Sequence, residues 1–260
     1  MMSAPALLSP RSYRHICGMR VDAVDYATAV SQVMAWAQRR ESRYVCIANV
    51  HMAMEANDDP LFADAVNGAD LVTPDGMPLV WGLRLLGVAG ATRVYGPDLT
   101  PLVFAEAERA GVSIGFYGGS PAVLDKLVNF AHEHFPKLDV RYRWSPPFRP
   151  LSDEEQQAAL GAIRESGVQI LLVGLGCPKQ ERWMARYRRE LPAVLLGVGA
   201  AFDFLTGAKP QAPRWMMASG LEWLFRLITE PRRLWLRYLK QNPRFLLHFS
   251  RQWLSSRGPR

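Results

Sequence analysis

The sequence predicts an α/β fold: a mostly parallel sheet with helices on both faces, Rossmann-like, followed by a basic, Trp-rich helical appendage at the C-terminus. Three observations predict it. Near-continuous apolar runs such as VQILLVGLG and AVLLGVG alternate with helical patterns, and strands apolar on both faces belong to parallel sheets covered on both sides. Gly, Ser and Pro stand where those runs end, as turn and cap chemistry requires. From Pro210 the texture changes: Pro210, Pro213, Pro231, Pro243 and Pro259 punctuate short segments holding Trp215, Trp223, Trp235 and Trp253, half of the chain's eight tryptophans. The expected division is an N-terminal extension over 1–18, an α/β domain over 19–208 and the appendage over 209–260.

In order along the chain, MRVDAV reads as the first strand. A helix follows over 26–39, with Val30, Val33, Met34 and Ala37 on one face, and YVCIAN is the next strand. Helical sequence follows near 62–66, and again over 97–110 before the strand VSIGFYG. Gly118, Gly119, Ser120 and Pro121 then supply a turn, an N-cap and a first helical residue for a helix through His132. LDVRYRW is a strand, 153–166 a helix, VQILLVGLG a strand, 178–189 a helix and AVLLGVG a strand.

The composition is that of an ordinary globular protein, 49% hydrophobic and 21% charged over 260 residues. Cys17, Cys46 and Cys177 are too far apart for a disulfide framework or a CxxC metal set, so a reduced, cytosolic chain is expected. MMSAPALLSPRSYRH has no secretory pattern and no run approaches the ~18 apolar residues of a spanning helix, so membrane contact is expected to be peripheral. Charge is unevenly placed. Over 209–260 eleven Lys/Arg face only Glu222 and Glu230, a balance of +9 against +7 for the whole chain.

Ligands of parallel α/β sheets bind beyond the carboxyl ends of the strands, and three loops there carry chemistry. Gly118-Gly119-Ser120-Pro121 suits an anionic phosphate at a helix N-terminus, or is simply a capped turn; the two readings stand equal. Gly174 to Glu181 joins strand to helix without the third glycine of a dinucleotide fingerprint or the ending of a P-loop, and aims Lys179, Gln180 and Glu181 at the strand ends. Leu71-Val72-Thr73-Pro74-Asp75-Gly76-Met77-Pro78 holds a carboxylate between two prolines and a glycine, a rigid loop able to fix a general base, although Asp-Gly is a common turn pair and from spacing alone the turn is the better reading. Arg93, just before a helix start, can neutralise the charge developing on a diphosphate leaving group, although a surface arginine is the commoner reading. There is no Asp-x-Asp and no HExxH, so neither metal nor other cofactor is expected.

In the tail, a helix over 231–241 places Arg232, Arg233, Arg237 and Lys240 within an arc of roughly 140°. Leu234, Trp235, Tyr238 and Leu239 lie opposite, and Leu236 breaks the pattern. Such a helix suits an anionic leaflet; packing on the domain is the alternative. A nucleic-acid patch is disfavoured, since the aromatics are interleaved on the apolar face.

Taken together, IANVHMAMEA, ADLVTPDGMPLVWG, RVYGPDL, GFYGGSP, LLVGLGCPKQERWM, GVGAAFDFLTG and APRWMMASGLEWLFRLITEPRRLWLRYL resemble, in order and over about 19–245, the WecG/TagA/CpsF family, glycosyltransferase family 26. The resemblance implies a metal-independent, inverting transfer from a UDP-sugar donor to a polyprenyl diphosphate-linked sugar in cell-surface polysaccharide (exopolysaccharide) assembly. It places the enzyme peripherally on the anionic cytoplasmic face of the inner membrane, without nucleic acid, and permits a homo-oligomer. Asp75 matches the family's base; Arg93, Gln180 and Asn49 match active-site positions. Arg226, Arg232, Arg233 and Arg237 become candidate arginines from the appendage. Thr73, Gly118, Gly119, Gly176, Lys179 and Glu181 complete the candidate substrate-binding set. Ile47 stands where family members carry threonine. IANVHM with Ser145-Pro146-Pro147-Phe148 inclines the reading to the xanthan-type glucosyltransferase branch over the N-acetylmannosamine branch. The alternative function is a non-catalytic, nucleotide-binding regulatory module at the membrane.

Overall fold

The computed structural model describes residues 12–257. Its centre is a six-stranded parallel sheet in the order β4-β3-β8-β7-β5-β6. These strands are β3 (Arg43–Ala48), β4 (Leu71–Pro74), β5 (Ile114–Gly118), β6 (Val140–Trp144), β7 (Ile170–Gly174) and β8 (Val194–Gly197). The alternation along each strand explains the lack of polar residues. In β3, Tyr44, Cys46 and Ala48 enter one core while Val45 and Ile47 enter the other; in β7, Leu171 and Val173 oppose Ile170 and Leu172. Both faces are covered, so both sets must be apolar.

One face carries α1 (Tyr26–Gln38), α5 (Gly96–Ala110) and α6 (Pro121–His134). The other carries α2 (Val50–Asp58), α3 (Pro60–Asn67), α4 (Met77–Leu85), α7 (Asp153–Ser166) and α8 (Lys179–Tyr187). The predicted Ser120 cap is present, its Oγ accepting from the Val123 N–H.

The first strand departs from the prediction. MRVDAV does not join the parallel sheet: β2 (Met19–Asp22) pairs antiparallel with β1 (Tyr13–Ile16), which lies within the stretch expected to be an extension. Cys17 and Gly18, at φ 51° and 82°, make the two-residue turn that such a hairpin needs. Asp22, fully buried, accepts the Val72 N–H and anchors the hairpin beside β4.

After β8 come α9 (Ala201–Leu205), α10 (Arg214–Ala218), α11 (Glu222–Thr229) and α12 (Pro231–Ser255). α12 continues through the exposed Pro243, well past the predicted end, and packs along α2. Gln252 closes the structure. Its Nε2 donates to the carbonyl of His15 and its Oε1 accepts the Cys17 N–H, joining the end of the fold to the hairpin at its start.

Packing also redistributes the predicted faces of this helix. Leu234, Gln241, Phe245 and Phe249 are buried, with Arg237 and Tyr238 half-buried on the same side. Trp235, Leu236 and Leu239 point to solvent. The predicted opposition of Arg237 to Leu234 and Tyr238 is therefore corrected: α2 covers one flank of the apolar arc, and Arg237 lies at the edge of that covered flank. Among the described residues no helix is long and apolar enough to cross a membrane.

Candidate active site

The loops after β3 and β4 are locked together. The Ala48 carbonyl accepts the N–H groups of Asp75 (2.8 Å) and Gly76 (3.3 Å). Asn49 caps α2, its Oδ1 accepting from the Met52 N–H at 3.2 Å. The Val94 N–H donates to the Pro74 carbonyl at 2.9 Å, drawing Arg93 alongside. The Arg93 Nε donates to the backbone carbonyl of Asp75 and its Nη2 to Asp75 Oδ1 at 3.0 Å. The guanidinium sits 4.2 Å over the ring of Tyr95.

The loop after β7 supplies Gln180. Its Oε1 accepts the Gly176 N–H at 3.1 Å and its Nε2 donates to Glu181 Oε1 at 2.8 Å, so both ends of the amide are fixed. A Cβ on Gly197, at the end of β8, would fall 2.6 Å from Met184 Cε and 3.1 Å from Gln180 Nε2, so glycine there gives both side chains room to pack against the strand end.

The appendage forms the opposite wall. α11 presents Glu222 and Arg226, and α12 presents Arg233 and Arg237, across a cavity of about 600 Å³. Glu222 Oε2 lies 2.5 Å from Arg93 Nη2, joining the two walls. Arg226 lies over Phe204 at 5.4 Å, and Arg233 pairs with Glu230 at 2.6 Å. The buried Nε atoms of Arg226 and Arg237 have no partner among the described residues.

Burial pushes Asp75 up to about 6; Arg93 opposes this and Glu222 adds to it. Burial works against the charge of Arg93, but Asp75 and Glu222 outweigh it. Burial, aided by Arg237, lowers His51 to about 4, so the imidazole lining the cavity is neutral near pH 7. The cavity thus combines one carboxylate able to take a proton near neutrality with several fixed cations, a set suited to deprotonating a nucleophile while an anion departs.

Asn49, Asp75, Arg93, Gly176, Gln180, Arg226, Arg233 and Arg237 converge on this cavity. Six other candidates do not line it. Thr73 is fully buried within β4, opposite Ile47 of β3. Gly118 ends β5 and Gly119 follows it, two strands beyond β8. There a Cβ on Gly118 would fall 2.6 Å from the Gly174 carbonyl carbon, and the Gly119 N–H donates to the Gly174 carbonyl. Those glycines serve close packing, not an open phosphate cradle. Lys179 and Arg232 point to solvent. Glu181, fully buried, accepts from Gln180 and does not line the cavity, and burial pushes it up to about 7.

Sequence reasoning missed Glu222 and His51. Glu222 meets Arg93 across 129 residues of chain, and no spacing rule reports that. His51, two residues after Asn49, could have been suspected from its place in the first turn of a helix at a strand end.

The sequence profile of the glycosyl transferase WecG/TagA/CpsF family matches residues 14–259, which takes in the hairpin, the sheet and the appendage. A relative from Bacillus spizizenii, an N-acetylglucosaminyldiphosphoundecaprenol N-acetyl-beta-D-mannosaminyltransferase, is 28% identical over 202 residues, 77% of this chain and 76% of its own. One profile matches the chain across both the sheet and the appendage that together wall the cavity: the chain belongs to the WecG/TagA/CpsF family and is a glycosyltransferase.

Proposed function

We propose that the enzyme transfers a hexose, of the glucose or N-acetylmannosamine type, from a UDP-sugar to a sugar carried on a polyprenyl diphosphate, with inversion and without a metal. The observation that carries the reading is the Asp75–Arg93 pair facing the appendage arginines across one cavity. Asp75 takes the proton of the acceptor hydroxyl, the freed oxygen attacks the anomeric carbon, and the bond to the diphosphate breaks on the opposite side. Arg93, Arg226 and Arg237, which line the cavity, bear the charge of the departing UDP. The relative's name describes transfer to a sugar on diphosphoundecaprenol, which supports a lipid diphosphate acceptor. Ile47, lining the cavity, places an apolar side chain where the hexose would be discriminated.

The outward face of α12 supports a peripheral station on an anionic leaflet, the cytoplasmic face of the inner membrane. Trp235, Leu236, Leu239, Leu246, Leu247 and Leu254 are all about half exposed or more and fall on one side, opposite the buried flank. Trp215 and Ile228 of the neighbouring helices are 64% and 69% exposed. Apolar groups this exposed, flanked by Arg232, Lys240 and Arg251, fit interfacial insertion. The products would enter cell-surface polysaccharide, including exopolysaccharide, synthesis.

The test is a UDP-release assay with a short-chain polyprenyl diphosphate-sugar acceptor, comparing UDP-glucose, UDP-N-acetylmannosamine and UDP-N-acetylglucosamine in EDTA. Acceptor-dependent release from one donor is expected. Release that requires added divalent metal, or none with any donor, refutes the proposal.

A further inference from the structure

We infer that Glu222, carried by the appendage, is a positioning residue for the transfer: by taking one N–H of Arg93 it divides that guanidinium between two carboxylates and leaves Asp75 less neutralised. The inference rests on Asp75 being the base.

A single nitrogen makes the division. Arg93 Nη2 donates to Asp75 Oδ1 at 3.0 Å and to Glu222 Oε2 at 2.5 Å, the shorter contact going to the appendage. Arg93 itself is held independently of Glu222, by the bond from its Nε to the Asp75 carbonyl and by the Tyr95 ring beneath it. Loss of the Glu222 charge therefore redirects the Arg93 charge to Asp75 without releasing the arginine. A carboxylate alone with a buried guanidinium is a weak base; one that shares it with a second carboxylate is a stronger one. The charged groups facing Asp75 are Arg93, Glu222 and Arg226, together with the phenols of Tyr26 and Tyr95. None of the others can replace Glu222, since it is the only second carboxylate among them.

The location adds a consequence. Glu222 follows Gly220, whose φ is +73° and where a Cβ would fall 2.5 Å from the Trp81 ring of α4. That close approach sets the start of α11 against α4. Asp75 thus reaches its full basicity only with the appendage seated, which ties proton removal to the part of the molecule that meets the acceptor's surface.

The experiment measures kcat and KM against pH for the full-length enzyme, with a short-chain acceptor in detergent, for wild type, Glu222→Gln, Glu222→Asp and Asp75→Asn, with thermal unfolding as the control for folding. In Glu222→Gln the acidic limb of the profile is expected to move down by about one pH unit, and plateau kcat to fall severalfold, ~3–10, with KM little changed. Glu222→Asp, which keeps the charge, is expected to restore the limb toward wild type. An unmoved limb in Glu222→Gln, or a change in KM alone, overturns the inference while an inactive Asp75→Asn keeps the base assignment standing. Full turnover by Asp75→Asn overturns the base assignment itself, and the inference with it.

Discussion

The strand-end wall of the cavity and the appendage wall differ in what holds their charged groups. On the strand-end side, Asp75 is fixed by its N–H to β3, Arg93 by the backbone of Asp75, and Gln180 by Gly176 and Glu181, with fully buried strands behind them. On the appendage side, α11 has no fully buried residue and α10 only Met217, in a small cluster with Tyr95 and Ala212. The first wall is continuous with the core of the sheet; the second is held mainly through α12 on α2, while α10 and α11 bury little and turn apolar groups outward. In the proposed mechanism the reacting groups sit on the first wall, and the groups that tune charge and reach a surface sit on the second.

The largest effect follows from disabling the rigid wall. Asp75→Asn should lower kcat by ~10²–10⁴ in the UDP-release assay, with an unchanged thermal midpoint. Next, Arg226→Ala or Arg237→Ala removes a charge from the docked wall and should cost about tenfold in kcat/KM, about 1.4 kcal/mol of transition-state binding. A smaller change is expected from Leu236→Glu combined with Leu239→Glu. Sedimentation with anionic liposomes should be lost, while turnover of a short-chain acceptor in detergent stays within about twofold and stability within about 0.5 kcal/mol.

The subtlest prediction concerns pH and the carboxylate behind Gln180. Glu181 is pushed up to about 7 by burial, above its ordinary 4.5, so the native state holds a proton that the unfolded chain releases between those values. Its stability is full below that window and declines as pH rises through 7. Between about pH 5 and about pH 9 the wild-type midpoint should fall by a few degrees more than that of Glu181→Gln; parallel curves for the two would show Glu181 to be uninvolved.

Much of this was legible because it is local. Alternating apolar strands and helices and the Ser120 cap follow from residues a few places apart, whereas Asp75 and Arg93 became site candidates only through the ordered family motifs. The seven ordered motifs also pointed to the family that the profile match shows. The misreadings share one cause. MRVDAV has a strand's pattern, but no local rule distinguishes the edge of the main sheet from a partner in Tyr13–Ile16. The Gly118–Gly119 turn suited an anion site and a capped turn equally, and only the Gly174 backbone packed against it favours the second.

What the sequence determined by itself, then, was the class of fold, the end of the strands at which chemistry would gather, and the uneven charge of the last fifth of the chain. Tertiary structure alone decided which candidates meet. The order β4-β3-β8-β7-β5-β6 leaves the loop after β5 outside the cavity while bringing those after β3, β4 and β7 into it. The packing of α12 on α2 turned Arg237 toward the cavity and Leu236 away. The pairing of Arg93 with Glu222 spans half the chain. Periodicity and capping act over a few residues and are written in the sequence, whereas contacts between distant segments are chosen by the burial of surfaces that exist only once the elements have formed.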